Sequence, residues 1–109
     1  MNRLSFILAL FAAISSLAAE APSFRNTIQP ILTRYGCAMG ACHGAAAGQG
    51  GFRLSLRGFD DEGDWLSITR SANGRRLTLE DPARSLFLLK AVKAVPHKGD
   101  KRFEVNSPE

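Results

Sequence analysis

Both cysteines of the 109-residue chain, and one of its two histidines, lie in the stretch Cys37-Ala38-Met39-Gly40-Ala41-Cys42-His43-Gly44. Two thiols followed at once by an imidazole are the groups that covalent attachment of a c-type haem requires. The thiols add to the two vinyl groups of the porphyrin, and the histidine binds the iron from the proximal side. The usual motif has two residues between the cysteines, whereas four separate Cys37 from Cys42 here.

Two other interpretations of this stretch stay open. A disulfide between Cys37 and Cys42 is typical of an oxidising compartment, but it gives His43 no role. A zinc ion needs four ligands, which Cys37, Cys42, His43 and His97 would supply. Neighbouring side chains such as those of Cys42 and His43 tend to diverge, so the zinc interpretation is the less favoured.

The other histidine, His97, lies far along the chain in a polar loop and favours the haem interpretation. No methionine follows Met39, so His97 is the conventional candidate downstream for the second axial ligand. We therefore expect His43 and His97 to bind the metal. A His/His pair predicts a lower reduction potential than a Met/His pair, because thioether ligation raises the potential.

Residues 1–19 have the pattern of a secretory signal peptide, with a basic start at Arg3, an apolar run and small residues before Ala19. The apolar run is short for a membrane span, so an uncleaved anchor is the less favoured alternative. We expect cleavage after Ala19, a periplasmic or otherwise exported product, and no stable membrane insertion.

Size and charge narrow the function further. About 90 residues remain after cleavage, and a domain of that size gains from a disulfide, a metal or a bound cofactor. The full chain carries 14 Lys and Arg against 10 Asp and Glu, a net charge of +4, and loss of Arg3 leaves +3. This mild excess does not indicate nucleic-acid binding. No catalytic set stands at persuasive spacing, so we do not expect an enzyme.

The apolar pattern predicts a mostly α domain with short strand pieces. A helix is expected over residues 24–35, capped by Ser23, interrupted at Pro30 and ended by Gly36. Apolar residues alternate with polar or charged ones over residues 52–56, which predicts a strand. Residues 77–79 predict a second short strand. Another helix is expected to begin at Asp81 and end before Pro96.

The last residues, Ser107-Pro108-Glu109, read like the start of a helix. This pattern predicts that a terminal helix is missing and that the sequence is the front part of a longer protein.

Four ordered blocks of the chain resemble the cytochrome c-like domain of large exported planctomycete-type proteins. Residues 24–51 read FRNTIQPILTRYGCAMGACHGAAAGQGG. The shared blocks are Ile28-Gln29-Pro30-Ile31-Leu32, Cys42-His43-Gly44, Gly50-Gly51-Phe52-Arg53-Leu54 and Asp81-Pro82-Ala83-Arg84-Ser85-Leu86. The wider family usually has two residues between the cysteines and a Met-Pro-Pro segment where this chain has Pro96-His97-Lys98-Gly99.

The resemblance implies a cytochrome c-like domain over residues 20–109 with one covalent haem c. Cys37 and Cys42 would form the thioethers, His43 would be the proximal ligand, and His97 is the weaker distal assignment. The implied function is electron transfer or redox sensing, with a redox partner protein or further domains of a longer chain. The alternative is a non-redox exported interaction module with a structural Cys37–Cys42 disulfide. Candidates to pack on the ring are Phe52, Trp65, Leu86 and Phe87.

Overall fold

The computed structural model describes residues 20–109, and the predicted signal peptide lies outside this range. The described part contains three short α-helices, which are α1 (Gln29–Arg34), α2 (Asp61–Thr69) and α3 (Leu86–Ala91). A π-helical turn spans Phe24–Ile28, and 3-10 turns span Leu56–Gly58, Ala72–Gly74 and Pro82–Arg84. The predicted mostly α class is confirmed. Across residues 20–109 no helix has the length and apolar character needed to cross a bilayer.

The predicted helix over residues 24–35 forms as two joined pieces. The Ser23 side chain accepts a hydrogen bond from the backbone N–H of Asn26 at 3.2 Å, which confirms Ser23 as the cap. The backbone then makes a π-type turn, and α1 begins at Gln29 with Pro30 in its first turn. Proline is tolerated there because the first helical N–H groups have no partner inside the helix.

Gly36 ends this helical segment and sends the chain into the cysteine loop, residues 37–44. Its φ of 81° is in the left-handed region, which a glycine adopts at little cost. The Ala38 N–H donates to the Leu32 carbonyl at 3.0 Å, which brings Ala38 back against α1. Ala38 is fully buried and is one of the core residues.

Both strand predictions are wrong, because the backbone groups of these segments pair with turns instead of with another strand. The Leu54 N–H donates to the His43 carbonyl at 2.8 Å, and the Arg57 N–H donates to the Ala38 carbonyl at 2.9 Å. Leu54 is buried, but Leu56 is 47% exposed, so the expected alternation does not hold. In the second segment Leu79 is 81% exposed.

The second helix, α2, is absent from the sequence prediction. Asp60 caps it by accepting a hydrogen bond from the Gly63 N–H at 3.0 Å. The helix carries Asp64 into the interior, where its carboxylate accepts hydrogen bonds from the Gln29 amide, the Ser55 N–H and the Ser55 hydroxyl at 2.6–2.7 Å. These contacts join α2 to α1 and to the segment after the cysteine loop.

The third helix begins later than predicted. Asp81 makes no side-chain cap, and residues Pro82–Arg84 form a separate 3-10 turn. α3 starts at Leu86, after Ser85, and Ser85 uses its hydroxyl to accept from the Thr78 N–H at 2.9 Å. The Asp-Pro pattern therefore marks a turn before the helix and not the helix start.

The core of the described residues is small. Its almost fully buried apolar side chains are those of Leu32, Ala38, Leu54 and Ile68. Partly buried apolar side chains surround them, namely Phe24, Ile28, Cys37, Phe52, Leu77 and Phe87. Buried polar contacts, such as those of Asp64, therefore have a large share in fixing how the helices pack.

Replacement of Asp64 by alanine should be costly, because it leaves three buried donors without an acceptor. We expect Asp64→Ala to lower the free energy of unfolding by about 3 kcal/mol. Glu62→Ala is the control, since Glu62 lies on the same helix but is exposed, and its loss should cost less than about 1 kcal/mol. Urea denaturation followed by circular dichroism measures both, and equal losses would contradict the assignment.

Candidate metal centre

The cysteine loop holds both thiols and His43 in one series of turns. The His43 N–H donates to the Cys37 carbonyl at 2.9 Å, and the Cys42 N–H donates to the Met39 carbonyl at 2.9 Å. Gly44 packs so closely on the Ala38 carbonyl that a side chain there would collide with it. Both thiols are free, and burial raises the pKa of the Cys37 thiol.

The His43 imidazole is held on one side only. Its Nδ1 lies 2.8 Å from the Phe52 carbonyl oxygen, and its ring packs on the Phe52 ring with centroids 4.6 Å apart. A carbonyl can only accept, so Nδ1 carries the proton. Partial burial lowers the pKa of His43, although the hydrogen bond to Phe52 acts in the opposite direction. The neutral ring therefore keeps a lone pair on Nε2.

The His97 imidazole is held in the same way by its own turn. Its Nδ1 lies 2.8 Å from the Asp100 carbonyl oxygen, and the Asp100 N–H donates back to the His97 carbonyl at 3.0 Å. The Asp100 carboxylate pairs with Lys93 at 2.7 Å, and Lys90 donates to the Pro96 carbonyl at 2.7 Å. Two lysines of the α3 region thus tie down the loop that carries His97.

The structure brings His43 and His97 together from distant parts of the sequence. Their ring centroids are 6.4 Å apart, and their planes differ by only 9°. Two imidazole nitrogens that bind one metal ion from opposite sides, each at about 2.0–2.1 Å, place the ring centroids about 6–6.5 Å apart. The centroid separation of 6.4 Å is of the size that two imidazoles on one metal ion would have.

Gly99 lies directly against the His97 ring. A β-carbon at this position would lie 2.8 Å from Cε1 and 3.1 Å from Nε2 of His97. The missing side chain thus keeps the Nε2 edge of the ring clear. The role of Gly99 cannot be predicted from the sequence, because the sequence does not show which side chain a loop glycine contacts.

Arg102 connects the His97 loop to the cysteine loop. Its guanidinium donates to the Tyr35 carbonyl at 3.2 Å and lies 3.4 Å from the Cys42 sulfur. Its backbone N–H donates to the Ala91 carbonyl at 2.8 Å. The end of α1, the end of α3 and Cys42 are therefore joined by one residue.

Of the aromatic residues expected near the site, Phe52 contacts His43, Phe87 contacts Phe52, and Trp65 is placed elsewhere. Phe52 contacts His43 directly, and Phe87 packs edge-on against Phe52 with centroids 6.1 Å apart. Trp65 packs instead against Phe24, with centroids 5.4 Å apart, and is 49% exposed.

The four-ligand zinc site is not assembled. Within residues 20–109 no three side chains of the His, Cys, Asp or Glu type converge on one point. What the described residues bring together is a pair of imidazoles, with two free thiols in the adjoining cysteine loop.

Comparisons with protein-family models, with curated proteins and with solved structures found no match to the chain. The chemistry of the site therefore rests on its own residues. These are two imidazoles whose Nε2 atoms have no hydrogen-bond partner within residues 20–109, two thiols in the adjoining loop, and a basic residue, Arg102, that joins the two parts.

The lowered pKa of His43 predicts that acid destabilises the haem-free fold. The unfolded chain keeps the ordinary histidine pKa of about 6.5, so on acidification it binds a proton before the folded chain does. This contribution to stability is complete above that pH and is lost as the pH falls towards the lower pKa of the folded state. We expect the urea midpoint of the haem-free protein to decrease when the pH is lowered from about 7.5 to about 5.5. The dependence should be weaker in His43→Gln, and equal slopes in the two proteins would contradict it.

Proposed function

We propose that this chain is an exported c-type haem domain that transfers single electrons. Cys37 and Cys42 form the thioethers, and His43 and His97 are the two axial ligands. The observation that carries the proposal is the parallel pair of imidazoles, 6.4 Å apart, each with Nδ1 directed at a backbone carbonyl. A histidine that binds a metal almost always donates its other ring N–H in this way.

The residues of the site fit the chemistry of the group. Haem supplies a one-electron iron couple when it is bound. The chain contributes two imidazoles, and the carbonyls of Phe52 and Asp100 orient their rings and increase their basicity as ligands. Gly99 leaves room beside the distal ring, and Phe52 and Phe87 provide apolar surface on the proximal side.

Covalent attachment is supported by the cysteine loop. The loop places both free thiols in the same run of turns as His43, and its four spacer residues form part of those turns. The resemblance of the four sequence blocks to planctomycete-type cytochrome c-like domains points to the same residues. The small apolar core agrees as well, because a planar cofactor adds buried surface that a domain of this size needs.

The ligand pair favours electron transfer over the sensing of a small gaseous ligand. His43 and His97 would both hold the iron, which would leave no open position for a small ligand, and the bound group would then supply one-electron chemistry only. Lys98 is exposed next to His97, and over residues 90–104 five Lys and Arg stand against Asp100 and Glu104, so this side has a net positive charge. A redox partner protein with an acidic surface is the expected counterpart.

Expression of the chain with its leader, in a host that has haem-attachment machinery, tests the proposal. We expect the intact mass to include one haem and the reduced pyridine haemochrome to be of the c type. The double variant Cys37→Ala, Cys42→Ala should lose the covalent bond but still bind added haem, because the imidazole pair is set by the polypeptide. A difference spectrum measures that binding.

A colourless product would overturn the haem proposal, provided that a control cytochrome matures in the same host. If that product were also lighter by two hydrogens than the dithiol form, the cysteines would be paired. The chain would then be assigned as a non-redox interaction module with a Cys37–Cys42 disulfide.

Gly99→Ala tests the distal ligand without removing it. The added methyl group would press on the Nε2 edge of His97, so the ring must turn away from its hydrogen bond with Asp100. We expect the haem-loaded variant to lose most of its low-spin spectrum and, once reduced, to bind carbon monoxide. Gly40→Ala is the matched control, because Gly40 lies in the cysteine loop with nothing near its missing β-carbon. Low-spin spectra in both variants would rule out His97 as a ligand.

A further inference from the structure

Arg76 is a buried cation whose partners are all neutral. Its side chain is only 5% exposed, and no ion pair of Arg76 occurs within residues 20–109. Its guanidinium donates to the Ser67 carbonyl at 2.9 Å, to the Ser71 carbonyl at 3.4 Å and to the Gly51 carbonyl at 3.1 Å. Burial of a charge costs free energy unless the charge is well hydrogen-bonded, so the contacts of Arg76 must offset that cost.

The group that Arg76 holds is the turn at residues 49–52. The guanidinium carbon lies 4.5 Å above the centroid of the Phe52 ring, in a cation–π contact. The same guanidinium binds the Gly51 carbonyl. Gln49 and Phe52 close the turn with two reciprocal backbone hydrogen bonds of 2.9 and 3.0 Å. Arg76 therefore fixes both the backbone of the turn and the aromatic ring that leaves it.

This turn is the support of the proximal histidine. The Phe52 carbonyl accepts from His43 Nδ1 at 2.8 Å, and the Phe52 ring packs on the His43 ring. The direction of that carbonyl follows from the turn, and the position of the ring follows from the guanidinium above it. One continuous series of contacts thus leads from Arg76 through Phe52 to the imidazole.

We propose that Arg76 is the positioning residue for His43, which fixes the tautomer and the orientation of the imidazole through the turn at residues 49–52. That Arg76 positions an iron ligand rests on the proposed function. That it positions the His43 imidazole applies to the haem-free chain as well. The planar fork is essential, since a lysine cannot bind three carbonyls and also cover an aromatic face.

Nitrogen-15 spectra of the histidine side chains in the haem-free chain test the proposal. The full chain is expressed with its leader in a host without haem-attachment machinery. In the wild type we expect the proton of His43 to reside on Nδ1. In Arg76→Lys and Arg76→Gln this preference should be lost, while His97 keeps its own tautomer as an internal reference. Arg75→Gln is the matched control, because the neighbouring Arg75 is exposed.

Every outcome of the histidine spectra either supports or overturns the positioning role of Arg76. A folded Arg76→Gln variant in which His43 keeps its proton on Nδ1 would overturn the proposal, and so would equal changes at both histidines. A variant that does not fold in buffer is measured in trimethylamine N-oxide, which strengthens burial. If it remains unfolded there, Arg76 serves the fold alone and the positioning role is rejected.

Haem-loaded variants provide a separate readout. Loss of the hydrogen bond to Phe52 makes His43 a weaker donor, so the midpoint potential of Arg76→Lys should shift upward relative to Arg75→Lys. An equal potential in both would contradict the role of Arg76. If the wild type takes up no haem, the proposed function fails, while the spectra of the haem-free chain still decide the role of Arg76.

Discussion

The hydrogen bond between His43 Nδ1 and the Phe52 carbonyl is the contact on which the site depends. It joins the cysteine loop to the turn that follows, and it fixes which ring nitrogen is free. The Leu54 N–H reinforces it by donating to the His43 carbonyl. The imidazole is therefore held through its ring and its backbone at once, and this restraint leaves Nε2 for the ligand role that we propose.

The His97 side of the site is held by different kinds of contact. His97 lies in a loop that electrostatic and backbone contacts with the α3 region hold. Lys90 binds the Pro96 carbonyl, Lys93 binds Asp100, and the Arg102 backbone returns to Ala91. Exposed ion pairs are weak individually. The orientation of this ring consequently comes from several small contacts, whereas that of His43 comes from a few partly buried ones.

Polar groups carry an unusual share of the packing in this domain. Four apolar side chains make up the well-buried core of residues 20–109, while Asp64 and Arg76 are buried beside them and each makes three hydrogen bonds. Asp64 joins the helices, and Arg76 joins the turn at residues 49–52 to the segment after α2. A small core leaves such residues little redundancy, since each one connects parts of the chain that few other contacts connect.

The sequence by itself determined the mostly α class of the fold and supplied the candidate residues of the site. The two thiols, His43 and His97 were identifiable because their side chains have few other chemical roles, and Ser23, Pro30 and Gly36 marked the helical segment through strong local preferences. Tertiary structure alone decided that the His97 ring lies near the His43 ring and that Gly99 leaves space at the Nε2 edge of His97. It also decided that Arg76 is buried while its neighbour Arg75 is exposed. It also replaced the expected strands with loops, because strand pairing depends on a distant partner. Local preference acts over a few residues, whereas these features depend on which distant segments meet.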